Sequence, residues 1–313
     1  MSMVANGDGR IVVSGLTKSF GSVKAVDDMS FTVEPGTVAG FLGPNGAGKT
    51  TTLRMVVGLA KPDSGSATIS GKRYVDLPTP PSEVGAVLET SGFHPARSGR
   101  QHLRTYCIVN GYPAKRADEV LDMVGLAAAA KRPVRGYSLG MRQRLALAAA
   151  LLGDPQVLIL DEPANGLDPE GIVWMRTLLR DLAGCGRTVL VSSHVLTEMQ
   201  QLVDHVVIIN RGKLVRQGTL DDLESSGRAV LIRTPQLDQM IETLRRAGHS
   251  AKRAGDDQLR VAGMTTAEVG HLAFVAGLEV HELANERDDL ERVFFELTAD
   301  AGDAPALAMP GVS

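Results

Sequence analysis

Eight residues, Gly43 to Thr50 (GPNGAGKT), fit the spacing G-x-x-x-x-G-K-[ST]. That spacing serves polyphosphate chemistry. Glycines let successive backbone N–H groups curl around phosphate oxygens where a Cβ would clash. Lys49 then reaches the β- and γ-phosphates, and the Thr50 hydroxyl holds Mg²⁺. Pro44, Asn45, Gly46, Ala47, Gly48 and the following Thr51 complete the candidate cradle. A Gly-rich turn ending by chance in Lys-Thr is the plainer alternative, and a second feature weighs against it. Val157 to Leu160 runs straight into Asp161 and Glu162, and Pro163 stops the run. Such a run reads as a buried parallel strand delivering two carboxylates to a cleft at its C-terminal end. Asp161 is assigned to the Mg²⁺ side, through a water. Glu162 is assigned to orient or deprotonate the water that attacks the γ-phosphate.

Elements of matching type flank these residues. Thr37 to Leu42 is a short apolar run, a strand entering the loop. Lys49 to Leu59 has helical spacing, with Leu53, Val56 and Val57 on one side. Ser138 and Gly140 open a second helical stretch, whose small N-terminal residues suit an anion. Ala164 to Asp168 reads as a turn, and Pro169 starts another helix at a favoured position. From 155 to 209 the order is strand, helix, strand, helix, strand, which predicts a parallel α/β core. Val206 to Ile209 is its last strand, and Arg211-Gly212-Lys213 reads as a hairpin-like turn. Arg10 to Val33 reads as two antiparallel strands. Residues 90–150 read as mainly helical, with an exposed break at Lys131 to Gly136.

Taken together, these motifs resemble an ATP-binding cassette (ABC) ATPase over roughly residues 10–225. YSLGM at 137–141 stands where that family has LSGGQ: Ser138 and Gly140 match, while Tyr137, Leu139 and Met141 depart. ANGLD at 164–168 resembles the family's D-loop, and His194 in LVSSH its switch histidine. Phe20 resembles the aromatic that stacks on adenine. Duller roles exist for each: Phe20 as core, Ser138 as a helix cap, His194 as a structural histidine. The resemblance implies ATP and Mg²⁺ as ligands. It also implies that the signature helix contacts the ATP of a partner, in a homodimer that sandwiches two nucleotides. With one phosphate loop and one signature per chain, a complete site needs two chains.

A narrower resemblance rests on Glu89 at the position where most members carry Gln, on YSLGM, and on DDLERVFFELT (288–298). These are similar to ATPases of drug and bacteriocin-type exporters, including bacitracin-resistance and daunorubicin-type systems. Glu89 would add a negative charge near Mg²⁺ and the γ-phosphate, which the ion or a proton must offset. It joins Thr50 and Asp161 as a metal candidate. Thr90 to Gly99 would face an integral-membrane permease on a separate chain.

The remaining numbers agree. A chain of 313 residues with 43% hydrophobic content supports about two domains, and its 4% aromatic content leaves the core to Val, Leu, Ile and Ala. Net charge of −3 argues against a nucleic-acid partner. Cys107 and Cys185 read as reduced and structural, and His94 and His102 as surface or capping residues. MSMVANGDGR has no apolar core of a signal peptide, and Leu145 to Leu152 is too short to span a bilayer. The expectation is a peripheral subunit on the cytoplasmic side of the membrane.

From about Arg228 a second unit begins: strand 229–233, helix 237–247, hairpin 250–261 through Gly255-Asp256-Asp257, helix 265–276, strand 278–283. This βαββαβ order resembles a ferredoxin-like unit. Leu290 to Leu297 would close it as an amphipathic helix. The expected fold is therefore α/β, a P-loop NTPase of the ABC type. It would have an antiparallel β subdomain, a parallel α/β core, a helical subdomain near 90–150, and a small C-terminal α+β domain. The expected division is 1–9 disordered, 10–227 ATP-binding, 228–298 accessory and 299–313 disordered. The expected activity is ATP hydrolysis driving export of a small molecule by the permease. A soluble ABC ATPase of translation or DNA repair is the alternative, although those usually pair two cassettes or insert long coiled coils.

Overall fold

Buried runs of Val, Ile and Leu make the strands that carry the candidate residues. Val38–Leu42 (β3) and Val157–Leu160 (β6) are buried at every position, as is Thr188–Ser193 (β7). Burial on both faces is what a parallel strand covered by helices requires. The structure, a computed structural model, describes residues 8–88, 92–220, 222 and 229–286. The chain falls into two compact units, Met1–Gly218 and Thr219–Ser313.

In the first unit, β3, β6 and β7 join Val84–Val87 (β5), His205–Asn210 (β8) and Lys213–Thr219 (β9) in a six-stranded sheet. Its order is β5-β6-β7-β3-β8-β9. The β5–β6, β6–β7, β7–β3 and β3–β8 pairs are parallel. β9 follows β8 through Arg211 (φ 48°) and Gly212 (φ 79°). Two successive left-handed residues are the geometry of a tight hairpin turn, so β9 returns antiparallel at the edge. A separate antiparallel sheet, β2-β1-β4, is formed by Ile11–Phe20 (β1), Val23–Val33 (β2) and Ser64–Ile69 (β4). One apolar cluster joins the two sheets, with Phe31 of β2 and Phe41 of β3 at 5.2 Å between ring centroids.

Each helix near the site starts on a sequence signal. Lys49–Val56 (α1) follows the phosphate loop and ends before Gly58 (φ 69°), short of the expected Leu59. Pro80–Glu83 (α2) is one turn. Gly99–Asn110 (α3) opens on a capping box, in which Ser98 Oγ accepts from Gln101 N–H and Gln101 Oε1 accepts from Ser98 N–H. Arg116–Met123 (α4) and Leu139–Ala150 (α5) pack on α3 and on each other. Pro169–Gly184 (α6) has Pro169 in its first turn and the Asp168 carboxylate accepting from Gly171 N–H. Leu196–Gln200 (α7) precedes β8.

Two readings need correction. His102 is not a surface residue: it is buried, edge-on to the rings of Phe93 and Tyr106. Burial, with the Arg97 charge second, holds its imidazole below the usual histidine range. The break at Lys131 to Gly136 is exposed only in part, because Val134 is buried.

The second unit has the strands Ala229–Arg233 (β10), Ala251–Arg253 (β11), Gln258–Ala262 (β12) and Glu282–Glu286 (β13). Its helices are Leu237–Arg246 (α8) and Thr266–Val275 (α9). The antiparallel sheet runs β11-β12-β10-β13, so the chain order is βαββαβ with the first and last strands side by side. That is the ferredoxin-like arrangement. Val230, Ile232, Leu259 and Val261 fill its core against Met240, Leu244 and Val269. The last strand starts four residues later than expected. Leu278 and Val280 are spent on packing, and ladder pairing begins at Glu282 opposite Arg233. The helix expected over Leu290–Leu297 and the tail 299–313 lie outside the described residues. Of the N-terminal 1–9, Asp8 and Gly9 are described; Gly9 N–H donates to Ser70 Oγ and Asp8 Oδ1 accepts from Arg10 N–H.

Ile159 is fully buried in β6 between β5 and β7. Ile159→Ala is expected to lower stability by about 2–5 kcal/mol and Ile159→Val by about 1 kcal/mol. Urea unfolding of the purified chain measures both, and equal midpoints would place the core elsewhere.

Candidate functional site

The sheet order decides which side chains meet. β6, β7 and β3 are neighbours and run the same way, so the residues leaving their C-terminal ends converge on one edge of the sheet. β3 leads into Gly43–Thr50, β6 into Asp161 and Glu162, and β7 into His194.

The loop is held from several sides. Gly43 N–H donates to Ser193 O at 3.3 Å, and Ala47 O accepts from Gly212 N–H at 3.0 Å. The β8–β9 turn therefore supports the phosphate loop, and Asp27 N–H in β2 donates to Gly212 O at 2.8 Å. Lys24 and then Lys213 hold the Asp27 carboxyl below its usual range by hydrogen bonding. Gly48 has φ 101°, and a Cβ there would lie 2.4 Å from Ala25 O. Only glycine fits that contact.

Lys49 is buried, and its ammonium donates to two loop carbonyls and pairs with one carboxylate. They are Gly43 O at 2.7 Å, Pro44 O at 3.3 Å and Glu162 Oε1 at 3.2 Å. Glu162 Oε2 lies 2.8 Å from His194 Nδ1. A carboxylate accepts, so this contact is a hydrogen bond in the Nδ1–H tautomer of His194. Thr50 Oγ1 donates to Asp161 Oδ2 at 2.6 Å. Ser192 Oγ donates to Asp161 Oδ1 at 2.5 Å and accepts from Glu162 N–H at 3.0 Å. Glu162 sits at φ 49°, a left-handed backbone that a non-glycine residue adopts only when its surroundings impose it.

A cleft of about 380 Å³ opens over these groups, lined by Ala25, Asn45 to Thr51, Glu162, Asn165 and His194. Lys49, Thr50, Thr51, Glu162 and His194 thus reach one space, with Asp161 held just behind through Thr50. The other candidates fall elsewhere. Ser138 and Gly140 line a second cleft of about 520 Å³, with Leu126, Leu139, Gly166 and Asp168 among its walls. Ser138 Oγ accepts from Met141 N–H at 3.2 Å, so it does cap α5. Phe20 ends β1 half-exposed, with Lys18 Nζ 5.6 Å from its ring centroid, and is absent from the walls of the first cleft. Glu89 lies outside the described residues.

Sequence reasoning missed Ser192, Ala25, Asn165 and the support from Gly212. Ser192 left a signal, a hydroxyl residue at the end of an otherwise apolar buried run. Ala25 and Gly212 left none, because their contributions are backbone atoms brought close by tertiary packing.

With this geometry in hand, comparisons with known proteins are specific. A model described as ABC transporter matches residues 26–165, and one described as a domain of unknown function matches residues 228–291. The chain is 46% identical over 224 residues to the bacitracin transport ATP-binding protein BcrA of Bacillus licheniformis, covering 71% of this chain and 73% of that one. It is 36% identical over 309 residues to the daunorubicin resistance ATP-binding protein DrrA3 of Streptomyces coeruleorubidus, covering 94% and 97%. A solved ATP-binding subunit of an ABC transporter superposes with TM-score 0.62 at 29% identity, covering 68% of this chain and 91% of that one. A dimeric post-hydrolysis cassette, MJ0796 bound to ADP and Pi, superposes with TM-score 0.61 at 24% identity, covering 67% and 98%.

Ser192→Ala removes the donor to Asp161 and leaves the Glu162 N–H without its acceptor. The expected loss of stability is about 1–3 kcal/mol, read by urea unfolding. An unmoved midpoint would show that the hydroxyl does not hold the two carboxylate-bearing residues.

Proposed function

This chain belongs to the ABC transporter family of ATPases, and on that premise we propose that it drives export of a drug or antibiotic-like small molecule through a separate membrane permease. Its activity is hydrolysis of ATP to ADP and phosphate. The observation that carries the residue roles is the single cleft shared by Lys49, Thr50, Glu162 and His194.

ATP enters that cleft with its phosphates on the loop amides from Asn45 to Thr51. A phosphate oxygen takes the place of Glu162 beside Lys49 Nζ, which keeps its hydrogen bonds to Gly43 O and Pro44 O. Glu162 is then free to accept a proton from the attacking water or to orient it. His194 stays hydrogen-bonded to Glu162 and steadies the γ-phosphate. Thr50 Oγ1 and Asp161 Oδ2 are hard oxygens at 2.6 Å, the donor type that Mg²⁺ prefers. With Glu89 they would hold the ion, which offsets phosphate charge when bound. Phe20 supplies its ring to adenine.

The signature residues Ser138 and Gly140 border a different cleft of the same chain. A second copy, head to tail, would bring them onto the first copy's nucleotide. Thr90 to Gly99 is the segment assigned to the permease. Among the described residues no helix is long and apolar enough to cross a membrane. In this reading the chain is a peripheral subunit on the cytoplasmic side, held there by the permease. The relatives named for bacitracin transport and daunorubicin resistance support the substrate class.

Glu162→Gln is expected to bind ATP and to lose turnover by roughly a hundredfold or more, in a steady-state phosphate-release assay. Near wild-type turnover would remove Glu162 from the mechanism. Lys49→Ala is expected to weaken ATP binding by at least about tenfold in a fluorescent-nucleotide titration, because it deletes a charge-assisted contact. For the partner, tagged Glu162→Gln protein would be recovered from detergent-solubilised membranes of its native host with ATP and Mg²⁺. A stoichiometric multi-helix membrane protein is expected. Recovery of soluble ribosomal or DNA-associated proteins alone would favour the translation or repair class.

A further inference from the structure

Tyr137 stands where the family's signature has Leu, and its hydroxyl makes contacts that a leucine cannot. The side chain is 4% exposed. Its Oη donates to Ala129 O at 2.8 Å, in the three-residue helical turn Ala127–Ala129. The same oxygen lies against the first residue of α3: a Cβ built on Gly99 would sit 2.6 Å from Tyr137 Oη and 3.4 Å from its Cζ. Tyr137 and Gly99 therefore fit as a pair, one side chain occupying the room that the other lacks. Burial raises the phenol above its ordinary range, so it remains a proton donor near neutral pH.

The chain around this contact links two places. Val134 N–H donates to Arg97 O, Arg135 N–H to Pro95 O, and Arg100 N–H to Ala130 O, at 2.9, 3.0 and 2.9 Å. These bonds lace residues 95–100 to residues 130–135. Tyr137 N–H donates to Val134 O at 2.9 Å, and the next residue is Ser138, the cap of α5 and a wall of the 520 Å³ cleft. Tyr137 is thus the last fixed point between the start of α3 and the exposed turn Ser138–Gly140. Ser138 itself holds α5 amides, its Oγ accepting from Met141 N–H and its carbonyl from Arg142 N–H. Without the phenol, the turn would keep its cap and its contact with Gly166 and lose its hydrogen bond to Ala129.

We propose that Tyr137, seated on Gly99 and bonded to Ala129, is a positioning residue that sets Ser138 and Gly140 for contact with the second copy's nucleotide. This rests on the sandwich reading above. Tyr137 touches no nucleotide in either copy. It acts through Ser138 and Gly140, and the absence of a side chain at Gly99 is part of the device.

The test uses full-length Glu162→Gln protein, with ATP-dependent dimerisation read by light scattering and binding to the monomer by a fluorescent ATP analogue. Adding Tyr137→Phe is expected to raise the ATP concentration for half-dimerisation by about fivefold to tenfold, the scale of one buried hydrogen bond. Monomer affinity for the analogue stays unchanged. In the hydrolysing chain the same substitution raises the ATP concentration for half-maximal turnover in step with half-dimerisation. Gly99→Ala is expected to impair dimerisation beside Tyr137, and to add little beside Tyr137→Phe, where the nearest atoms recede to 3.4 Å. If the parent dimerises and Tyr137→Phe leaves the ATP dependence alone, the positioning role is overturned while the sandwich stands. If Gly99→Ala is equally harmful in both backgrounds, the wedge is overturned. If the parent fails to dimerise with ATP, the sandwich and this proposal fall together.

Discussion

A salt bridge of 3.2 Å between Lys49 and Glu162 depends on the whole parallel sheet. The two residues are 113 positions apart in sequence. They meet because β3 and β6 flank β7 and all three run the same way, which brings their C-terminal ends to one edge. The pair is costly to assemble, because Lys49 is buried and a buried ammonium needs partners for its protons. The two loop carbonyls and Glu162 supply them. On the proposed reading, phosphate takes over the partnership with Lys49 and frees the Glu162 carboxylate.

β7 contributes more than spacing. Ser192 stands between the two carboxylate-bearing residues, donating to Asp161 and accepting from the amide of Glu162. It helps send two neighbouring carboxylates to different partners. Asp161 is drawn toward Thr50 and Glu162 toward Lys49 and His194. The left-handed backbone at Glu162 is part of that separation, since it turns one carboxylate away from the other. A strained conformation at this position persists because neighbouring strands over-determine it.

The signature turn obeys a different constraint. It opens α5 on its own cleft, held by residues 95–100 and 127–137 on one side and by Gly166 and Leu167, which follow β6, on the other. The second unit stands apart again: its ferredoxin-like sheet has a full apolar core, and a fold of that kind carries no function by itself. DrrA3, aligned over 94% of this chain, shows that the extension is shared with at least one relative.

Much was legible in the sequence because the signals are local. Four apolar residues before Asp161, a glycine-rich loop before Lys49 and Pro169 after Asp168 specify element types without reference to anything distant. The boundaries that moved did so where tertiary packing competes with pattern: Leu278 and Val280 are apolar enough for a strand but are used to cover the core. Leu103 adjoins His102 and Tyr106 stands one helical turn on, but Phe93, the second ring against it, comes from outside the helix, and only tertiary packing shows that His102 is buried between them. By itself the sequence determined which residues have phosphate chemistry available, since residue type and spacing along one strand–loop–helix are enough for that. Only the tertiary structure decided which of them share a cleft, that Ser192 sorts the carboxylates, and that Gly99 makes room for Tyr137. Strand order and close backbone approach bring together atoms whose separation along the chain leaves no periodic trace.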